Sequence, residues 1–114
     1  MNIDKENSLL GILNDPTTSA SLTGPCGDTM VFSLIIREDE IEDIRVYTEG
    51  CPATKMCALE TAKQALNKTT YEALGISPKQ IMDLLKDLPE DHKHCAILAV
   101  STLYRAIANY FLEY

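Results

Sequence analysis

The hydrophobic pattern of this chain changes its period once, near residue 50. Before that point, residues 29–36 and 41–48 are rich in β-branched and apolar residues, as is typical of strands. After it, apolar residues recur at the spacing of a helix. Strands first and helices afterwards predict an α+β domain, in which helices pack on one face of a small antiparallel sheet.

Short polar or proline-containing segments mark the predicted ends of the strands and helices in the first half of the chain. Arg37-Glu38-Asp39-Glu40 separates the two strand patterns and predicts a solvated hairpin turn. Residues 19–23 fit a short edge strand. Residues 3–13 predict a short helix, which the pair Asp15-Pro16 would end because a residue before proline avoids the helical conformation.

Three longer helices are predicted in the second half, with a short turn or helix at residues 70–75 between the first two. The first starts at Pro52, and its apolar spacing is carried by Met56, Leu59, Ala62, Lys63 and Leu66. The second starts after the N-cap Ser77 and ends at Pro89, with a face of Ile81, Leu84, Leu85 and Leu88. The last and longest starts near Asp91, with a stripe of Cys95, Leu98, Ala99, Thr102, Ala106 and Tyr110.

Length and charge limit the function classes. The 114 residues are interpreted as a single domain, 1–114. A net charge of −7 argues against nucleic acid as a main ligand and suits a basic partner protein. No apolar run is seen to approach the ~20 residues of a membrane span, and residues 1–6 lack a signal-peptide pattern. We therefore expect a cytoplasmic protein that binds no membrane. Because disulfides are rare in the cytoplasm, we expect the four cysteines to be ligands, nucleophiles or core residues.

Three cysteines lie where the chain is predicted to change direction: Cys26, Cys51 and Cys95. Cys26 and Asp28 are two residues apart in a loop, so that in an extended segment their side chains point the same way. Cys51 and Cys95 lie at predicted helix starts, where the helix dipole lowers the pKa of a thiol. With His94 beside Cys95, this set predicts a metal site, because zinc and iron–sulfur clusters take thiolate and imidazole ligands.

Two nearby residues are given ordinary roles. His92 is interpreted as a structural or solvent-exposed histidine, as most single histidines are. Cys57 follows Cys51 by six residues, about 240° around the helix, and cannot easily share an ion with it. We predict a core cysteine at position 57, with a secondary role in relaying sulfur as the alternative.

Three segments resemble the iron–sulfur cluster scaffold proteins of the IscU type, a family that includes the N-terminal domain of NifU. The segments are Gly24-Pro25-Cys26-Gly27-Asp28-Thr29-Met30, Glu49-Gly50-Cys51-Pro52-Ala53, and Leu88-Pro89 followed by His94-Cys95-Ala96-Ile97-Leu98-Ala99. Their order and intervals agree with the family over roughly residues 24–114.

The resemblance implies a three-stranded antiparallel sheet with several helices, and a scaffold rather than an enzyme. Cys26, Cys51 and Cys95 would bind a [2Fe–2S] cluster, while His94 and Asp28 would compete for or share the fourth position. The protein would accept sulfur from a cysteine desulfurase, combine it with ferrous iron, and pass the cluster to apo iron–sulfur proteins. Many members also bind zinc at this site, which suits three thiols plus a nitrogen or oxygen ligand.

The chain also departs from the family. Residues 1–23 are divergent and lack an Asn-Pro-Arg-Asn-like stretch, so the corresponding contacts with a desulfurase are not expected. Glu90 and Asp91 replace the middle of a Leu-Pro-Pro-Val-Lys motif, so we expect no handover through a dedicated Hsp70-type chaperone. Cys57 stands where members mostly have small residues, and no further NifU domain is expected after the last helix.

The same residues are also compatible with other functions. The nearest keeps the fold but makes the protein a zinc-bound sulfurtransferase, in which Cys95 or Cys51 accepts persulfide sulfur without building a cluster. Another is a structural zinc domain with a closed tetrahedral site. A zinc deaminase is disfavoured, because that chemistry needs a His/Cys-x-Glu sequence and a Pro-Cys-x-x-Cys sequence. Pro25-Cys26 lacks the second cysteine, and His94 lacks the glutamate.

Overall fold

A computed structural model describes residues 8–25 and 27–113 of the chain. Three strands come first: β1 (Thr18–Thr23), β2 (Thr29–Arg37) and β3 (Glu40–Glu49). The helices follow: α1 (Pro52–Ala65), α2 (Thr70–Ala73), α3 (Pro78–Leu84), a 3-10 turn (Glu90–His92) and α4 (His94–Glu113). The predicted α+β class and the long C-terminal helix are confirmed.

The strands form one antiparallel sheet in the order β1-β2-β3. Phe32 at the middle of β2 pairs with Ala20 on β1 and with Val46 on β3. Alternate side chains of β2 are buried under the helices, because successive residues of a strand point to opposite faces. This buried set is Met30, Phe32, Leu34 and Ile36.

The segment before β1 differs from the predicted helix over 3–13, part of which lies outside the described residues. Leu10 forms a parallel bridge with Val46, and the Gly11 N–H donates to the Val46 carbonyl at 2.8 Å. The Leu13 N–H donates to Ser33 Oγ at 3.0 Å. These residues are not helical, because Val46 at the open edge of β3 and the Ser33 side chain on β2 offer their backbone groups hydrogen-bond partners.

The hairpin between β2 and β3 turns at Glu38 and Asp39, which have φ values of 51° and 66°. The Thr70 hydroxyl donates to Asp39 Oδ1 at 2.8 Å, and the Thr70 N–H donates to the Asp39 carbonyl at 2.9 Å. The predicted hairpin turn is confirmed, but its tip is only partly solvated because it is joined to the start of α2.

Helix α1 buries a different face from the one predicted. Its buried residues are mostly small: Ala53, Thr54, Cys57, Ala58, Thr61, Ala62 and Ala65. Met56, which the periodic pattern placed on the apolar face, is 43% exposed. Small side chains let the helix lie close to the sheet and to α4, and a pattern that weights large apolar residues does not detect such a face.

Helix α3 is shorter than predicted. The Ser77 hydroxyl accepts a hydrogen bond from the Gln80 N–H at 3.1 Å, which confirms the predicted N-cap. The helix ends at Leu84 because Leu85 leaves the helical conformation, with φ −101° and ψ 71°. Leu88 is still buried, but it reaches the core through the turn that follows.

Helix α4 buries most of the predicted stripe, including Cys95, Ala99 and Ala106. It begins at His94, after the 3-10 turn, rather than near Asp91. By length and composition alone, Glu90–Glu113 could cross a membrane, contrary to the sequence-based expectation, but its apolar face packs on the sheet as in a core helix. The Thr18 hydroxyl donates to the Ala106 carbonyl at 2.8 Å and fixes β1 against this helix.

Candidate metal centre

One end of the sheet brings together several of the predicted site residues. Thr29 at the start of β2 pairs with Glu49 at the end of β3, so Asp28 and Gly50 lie side by side at this edge. Helix α1 starts immediately afterwards, and α4 starts at the same end. Cys26, which the sequence places in the site, lies outside the described residues.

The Asp28 carboxylate approaches the β3–α1 connection closely because Gly50 has no side chain. A Cβ atom at position 50 would lie 2.6 Å from Asp28 Cγ, well inside van der Waals contact. Gly50 also has a φ of +154°, which side chains rarely permit. The Asp28 carbonyl in turn accepts a hydrogen bond from the Gly24 N–H at 2.8 Å, which closes the loop before β2.

Cys51 is the N-cap residue of α1 and is half-buried. Its Sγ lies 3.5 Å from Thr54 Oγ1, 3.7 Å from His92 Nδ1 and 3.9 Å from Asp28 Oδ2. Hydrogen bonds from the Thr54 hydroxyl and the Thr54 N–H lower the pKa of the Cys51 thiol. The predicted direction of this shift is therefore confirmed, with Thr54 as its main cause.

Cys95 lies in the first turn of α4 but has a different environment. Its side chain is fully buried, with Sγ 3.7 Å from Thr54 Oγ1 and 3.8 Å from His94 Nε2. Burial raises the pKa of the Cys95 thiol, and the neighbouring Cys51 and Asp28 add to the rise. The prediction of a lowered pKa here was wrong, because desolvation outweighs the position at a helix start.

Thr54 is a site residue that the sequence reasoning missed. Its buried hydroxyl lies within hydrogen-bond distance of Asp28 Oδ2 and of the sulfurs of Cys51 and Cys95, and its single proton can be donated to one of them at a time. The local sequence carries no clear signal for it, since Thr54 is three residues after the N-cap Cys51, where a capping box has Glu or Gln.

His92 is also at the site, contrary to the ordinary role predicted for it. Two groups of potential ligands have all their ligand atoms within 4.8 Å of one another. One comprises Cys51, His92 and Cys95, and the other comprises Asp28, His94 and Cys95. The interpretation failed because the 3-10 turn before α4, which the sequence pattern did not predict, directs His92 towards Cys51.

The separations fit a bound metal ion. Zinc binds sulfur at about 2.3 Å and nitrogen at about 2.0–2.1 Å, so tetrahedral neighbours lie about 3.5–3.8 Å apart. The Cys51–His92 and Cys95–His94 separations of 3.7 and 3.8 Å are close to these values. The donor set is therefore suited to zinc or iron.

Cys57 belongs to neither of these groups and has the predicted core position. Its side chain is fully buried. Burial raises the pKa of the Cys57 thiol to about 12, and the charges of Cys95 and Cys51 contribute less. The thiol therefore stays protonated near neutral pH and is a poor ligand there.

Comparisons with known proteins identify the fold and the family. Residues 5–113 match the model of the family described as NifU-like N terminal domain. This chain belongs to that family. The sequence-based resemblance is thereby confirmed, and the three-stranded sheet with its C-terminal helix is the fold of a NifU-like N-terminal domain.

Named relatives agree with this assignment. The chain is 34% identical over 103 residues to iron–sulfur cluster assembly scaffold protein IscU 1 of Archaeoglobus fulgidus, covering 90% of this chain and 67% of the relative. It is 31% identical to the scaffold protein IscU of Aquifex aeolicus, covering 91% and 68%. A crystal structure of a nitrogen-fixing NifU-like protein (N-terminal) from Brucella abortus superposes with a TM-score of 0.72 at 14% identity, covering 93% and 87%, which supports the fold alone.

Proposed function

We propose that this protein is a scaffold on which a [2Fe–2S] cluster is assembled and from which it passes to apo iron–sulfur proteins. The observation that carries the proposal is the convergence of two thiols, two imidazoles and a carboxylate at one end of a NifU-like N-terminal domain. Relatives named as iron–sulfur cluster assembly scaffolds support it.

The proposed cluster ligands are Cys26, Cys51 and Cys95, with His94 and Asp28 sharing the fourth position. Cys51 and Cys95 are supported by their mutual approach, and Cys26 by the family motif around it. Asp28 and His94 each lie beside Cys95, so either side chain can reach the same cargo. A carboxylate is a harder ligand than a thiolate and suits iron–sulfur chemistry poorly, so this position would be the labile one.

Sulfur would come from a persulfide on a cysteine desulfurase, and Cys51 is the acceptor that the environment favours. Its thiol is half-exposed and has a lowered pKa, whereas Cys95 is buried with a raised pKa. The Cys51 thiolate would attack the outer sulfur of the donor persulfide, forming a new S–S bond. The donor S–S bond breaks, and the donor cysteine leaves as a thiolate. Two further thiols, such as those of excess cysteine, would then reduce this persulfide: the Cys51 S–S bond breaks, Cys51 returns to a thiol, sulfide is released and the two thiols leave as a disulfide. The sulfide would combine with ferrous iron at the ligands.

The same observations favour one second candidate, a zinc-bound sulfurtransferase. It would use the persulfide step at Cys51 but pass the sulfur on without building a cluster. Zinc would be held by the same thiols with a nitrogen or oxygen ligand. The two candidates differ only in whether iron is incorporated.

The remaining proposals concern partners and location. We place the protein in the cytoplasm as a single domain and expect it to bind neither nucleic acid nor membrane, in line with its net charge of −7. Glu90 and Asp91 are both exposed, so the 3-10 turn presents acid to solvent even though Glu90 pairs with Lys93 at 3.0 Å. This supports the expectation that an Hsp70-type chaperone does not dock there.

Anaerobic reconstitution tests the main proposal. The purified chain is incubated with ferrous iron, cysteine and a cysteine desulfurase, and its visible spectrum and iron and sulfide contents are measured. We expect a brown product with two irons and two sulfides per cluster, which then activates an apo-ferredoxin. A colourless product that retains zinc and carries a persulfide on Cys51 would replace the scaffold with the sulfurtransferase.

A further inference from the structure

We propose that His92 is a metal ligand of this chain, and that with Cys51 and Cys95 it forms a second metal position beside the one made by Asp28, His94 and Cys95. The inference deepens the proposed scaffold function and rests on it for the identity of the cargo. Both positions include the Cys95 thiol, and each adds two further ligands to it.

The distances support His92 as a ligand. Its Nδ1 lies 3.7 Å from Cys51 Sγ, close to the about 3.5 Å expected between a sulfur and a nitrogen bound to one tetrahedral zinc ion. The ligand atom of His92 also lies within 4.8 Å of the Cys95 sulfur. All three ligand atoms are thus close enough together to hold one metal ion.

The backbone holds His92 towards this position. The His92 N–H donates to the Pro89 carbonyl at 2.9 Å, closing the 3-10 turn that precedes α4. The rings of His92 and His94 are 6.3 Å apart between centroids and tilted by 32°. The two imidazoles are therefore separate groups, with His92 next to Cys51 and His94 next to Cys95.

The two positions differ in chemical character. The His92 position offers two thiolates and one nitrogen, and the His94 position offers one thiolate, one nitrogen and one carboxylate oxygen. Softer ligands favour zinc-like ions, whereas oxygen suits harder ions. A probe ion should therefore occupy the His92 position first and bind there through two sulfurs.

The test uses Co²⁺ as a visible probe of the number of bound thiolates. The full chain carries Cys26→Ser, so that Cys51 and Cys95 are the thiols available, because Cys57 stays protonated with a pKa of about 12. It is titrated anaerobically, and the sulfur-to-cobalt charge-transfer absorption is recorded. We compare His92→Ala with a matched control, Lys93→Ala, whose side chain is half-exposed and pairs with Glu90.

Two thiolates per cobalt are expected in the parent and in Lys93→Ala. His92→Ala should weaken Co²⁺ binding at least ten-fold and reduce the charge-transfer intensity towards that of one thiolate. Equal affinity and intensity in His92→Ala and Lys93→Ala would overturn the proposal.

A second measurement needs no substitution at residue 92. Addition of Zn²⁺ to the ¹⁵N-labelled chain should shift the His92 Nδ1 resonance in a manner diagnostic of coordination. An unshifted His92 ring at saturating zinc would overturn the proposal even if a variant failed to fold. Neither measurement requires cluster assembly. If the chain binds zinc through His92 but builds no cluster, the proposed scaffold function is refuted and the proposal for His92 is retained.

Discussion

The starts of α1 and α4 are alike in sequence terms and unlike in chemistry. Each brings a cysteine to the beginning of a helix, where the dipole should favour a thiolate. Cys51 at α1 is half-exposed, and the Thr54 hydroxyl lowers its pKa. Cys95 at α4 is fully buried, and its pKa is raised. Local solvation and hydrogen-bond donors, more than helix position, decide the state of each thiol.

This contrast assigns different tasks to the two thiols. Under the proposed function, Cys51 is the thiol that would accept sulfur from a partner's persulfide, because it is half-exposed and its pKa is lowered. Cys95 is enclosed and is common to both potential ligand sets, so it suits retention of a metal or cluster. The experiments below test this division, in order of decreasing expected effect.

The largest expected effect is the difference in alkylation among three cysteines of the metal-free protein: Cys51, Cys57 and Cys95. Cys51 should react fastest with iodoacetamide, reaching half its maximal rate at a pH below that of an ordinary thiol, because its pKa is lowered. Cys95 should be slower because its pKa is raised. Cys57, with a pKa of about 12, has roughly one part in 100,000 as thiolate at pH 7 and should react only on unfolding.

Peptide mass spectrometry across pH 6–10 measures these rates. Denatured protein is the control, since there the three cysteines should become similar. Faster labelling of Cys95 than of Cys51 in the folded protein would reverse the assignment of tasks.

Substitution of the thiols should have the next largest effect. Cys51→Ser and Cys95→Ser should each lower the yield of reconstituted cluster at least ten-fold, because each removes a proposed ligand. Cys57→Ala is the control, since it shortens a core side chain outside both ligand groups. It should cost about 1 kcal/mol of unfolding free energy and leave most of the cluster. A cluster lost in Cys57→Ala, with the fold intact by circular dichroism, would restore a role for Cys57 in sulfur chemistry.

A smaller effect should follow from filling the space at Gly50. Gly50→Ala places a Cβ atom 2.6 Å from Asp28 Cγ, so the Asp28 carboxylate must leave its present position. We expect zinc affinity to fall several-fold, measured by competition with a chelating dye. Gly11→Ala is a matched control, because Gly11 also has a positive φ, +118°, but nothing lies within 4 Å of the added Cβ.

Both glycine variants should lose about 1–2 kcal/mol of stability from backbone strain. Only the site variant should lose metal affinity. Equal zinc affinities in the two would show that Asp28 does not contribute to the site.

The smallest expected effect is that of the central hydroxyl. Thr54→Val keeps the shape of the side chain but removes the hydrogen bonds to Asp28 and the sulfurs, so the pKa of Cys51 should rise. The half-maximal pH of Cys51 alkylation should move up, with a stability loss of about 1 kcal/mol. Thr54→Ser retains the hydroxyl and should behave like the parent. An unchanged pH profile in Thr54→Val would show that backbone N–H groups, and not the Thr54 hydroxyl, lower the pKa of Cys51.

Elements with strong local signals could be predicted from the sequence. Both long strands, the hairpin turn and the Ser77 cap follow from β-branched runs and polar punctuation. The buried face of α1 could not, because alanine and threonine carry little weight in a hydrophobic pattern. The end of α3 was also missed, since Leu85 and Leu88 continue the apolar spacing after the backbone has left the helix.

The site was predictable in part for a similar reason. The order of the family motifs predicted, without any knowledge of distances, that Asp28, Cys51, His94 and Cys95 lie in one site. His92 and Thr54 were missed because their roles depend on a 3-10 turn and on burial, which arise from tertiary packing. The pKa of Cys95 was misjudged on the same grounds, since desolvation cannot be read from neighbours in sequence.

The junction of the hairpin tip with α2 bears on the order in which the chain folds. Hydrogen bonds between Asp39 and Thr70 join the β2–β3 hairpin to the start of α2, with α1 between them in the chain, and they span 31 residues. The bond from Thr18 to Ala106 spans 88 residues. Because local contacts form faster than distant ones, the hairpin and α1 should assemble while the chain is still being synthesised. Cys95 comes from the last helix, so a nascent chain would carry Cys51 exposed and unable to hold a metal securely until α4 has left the ribosome.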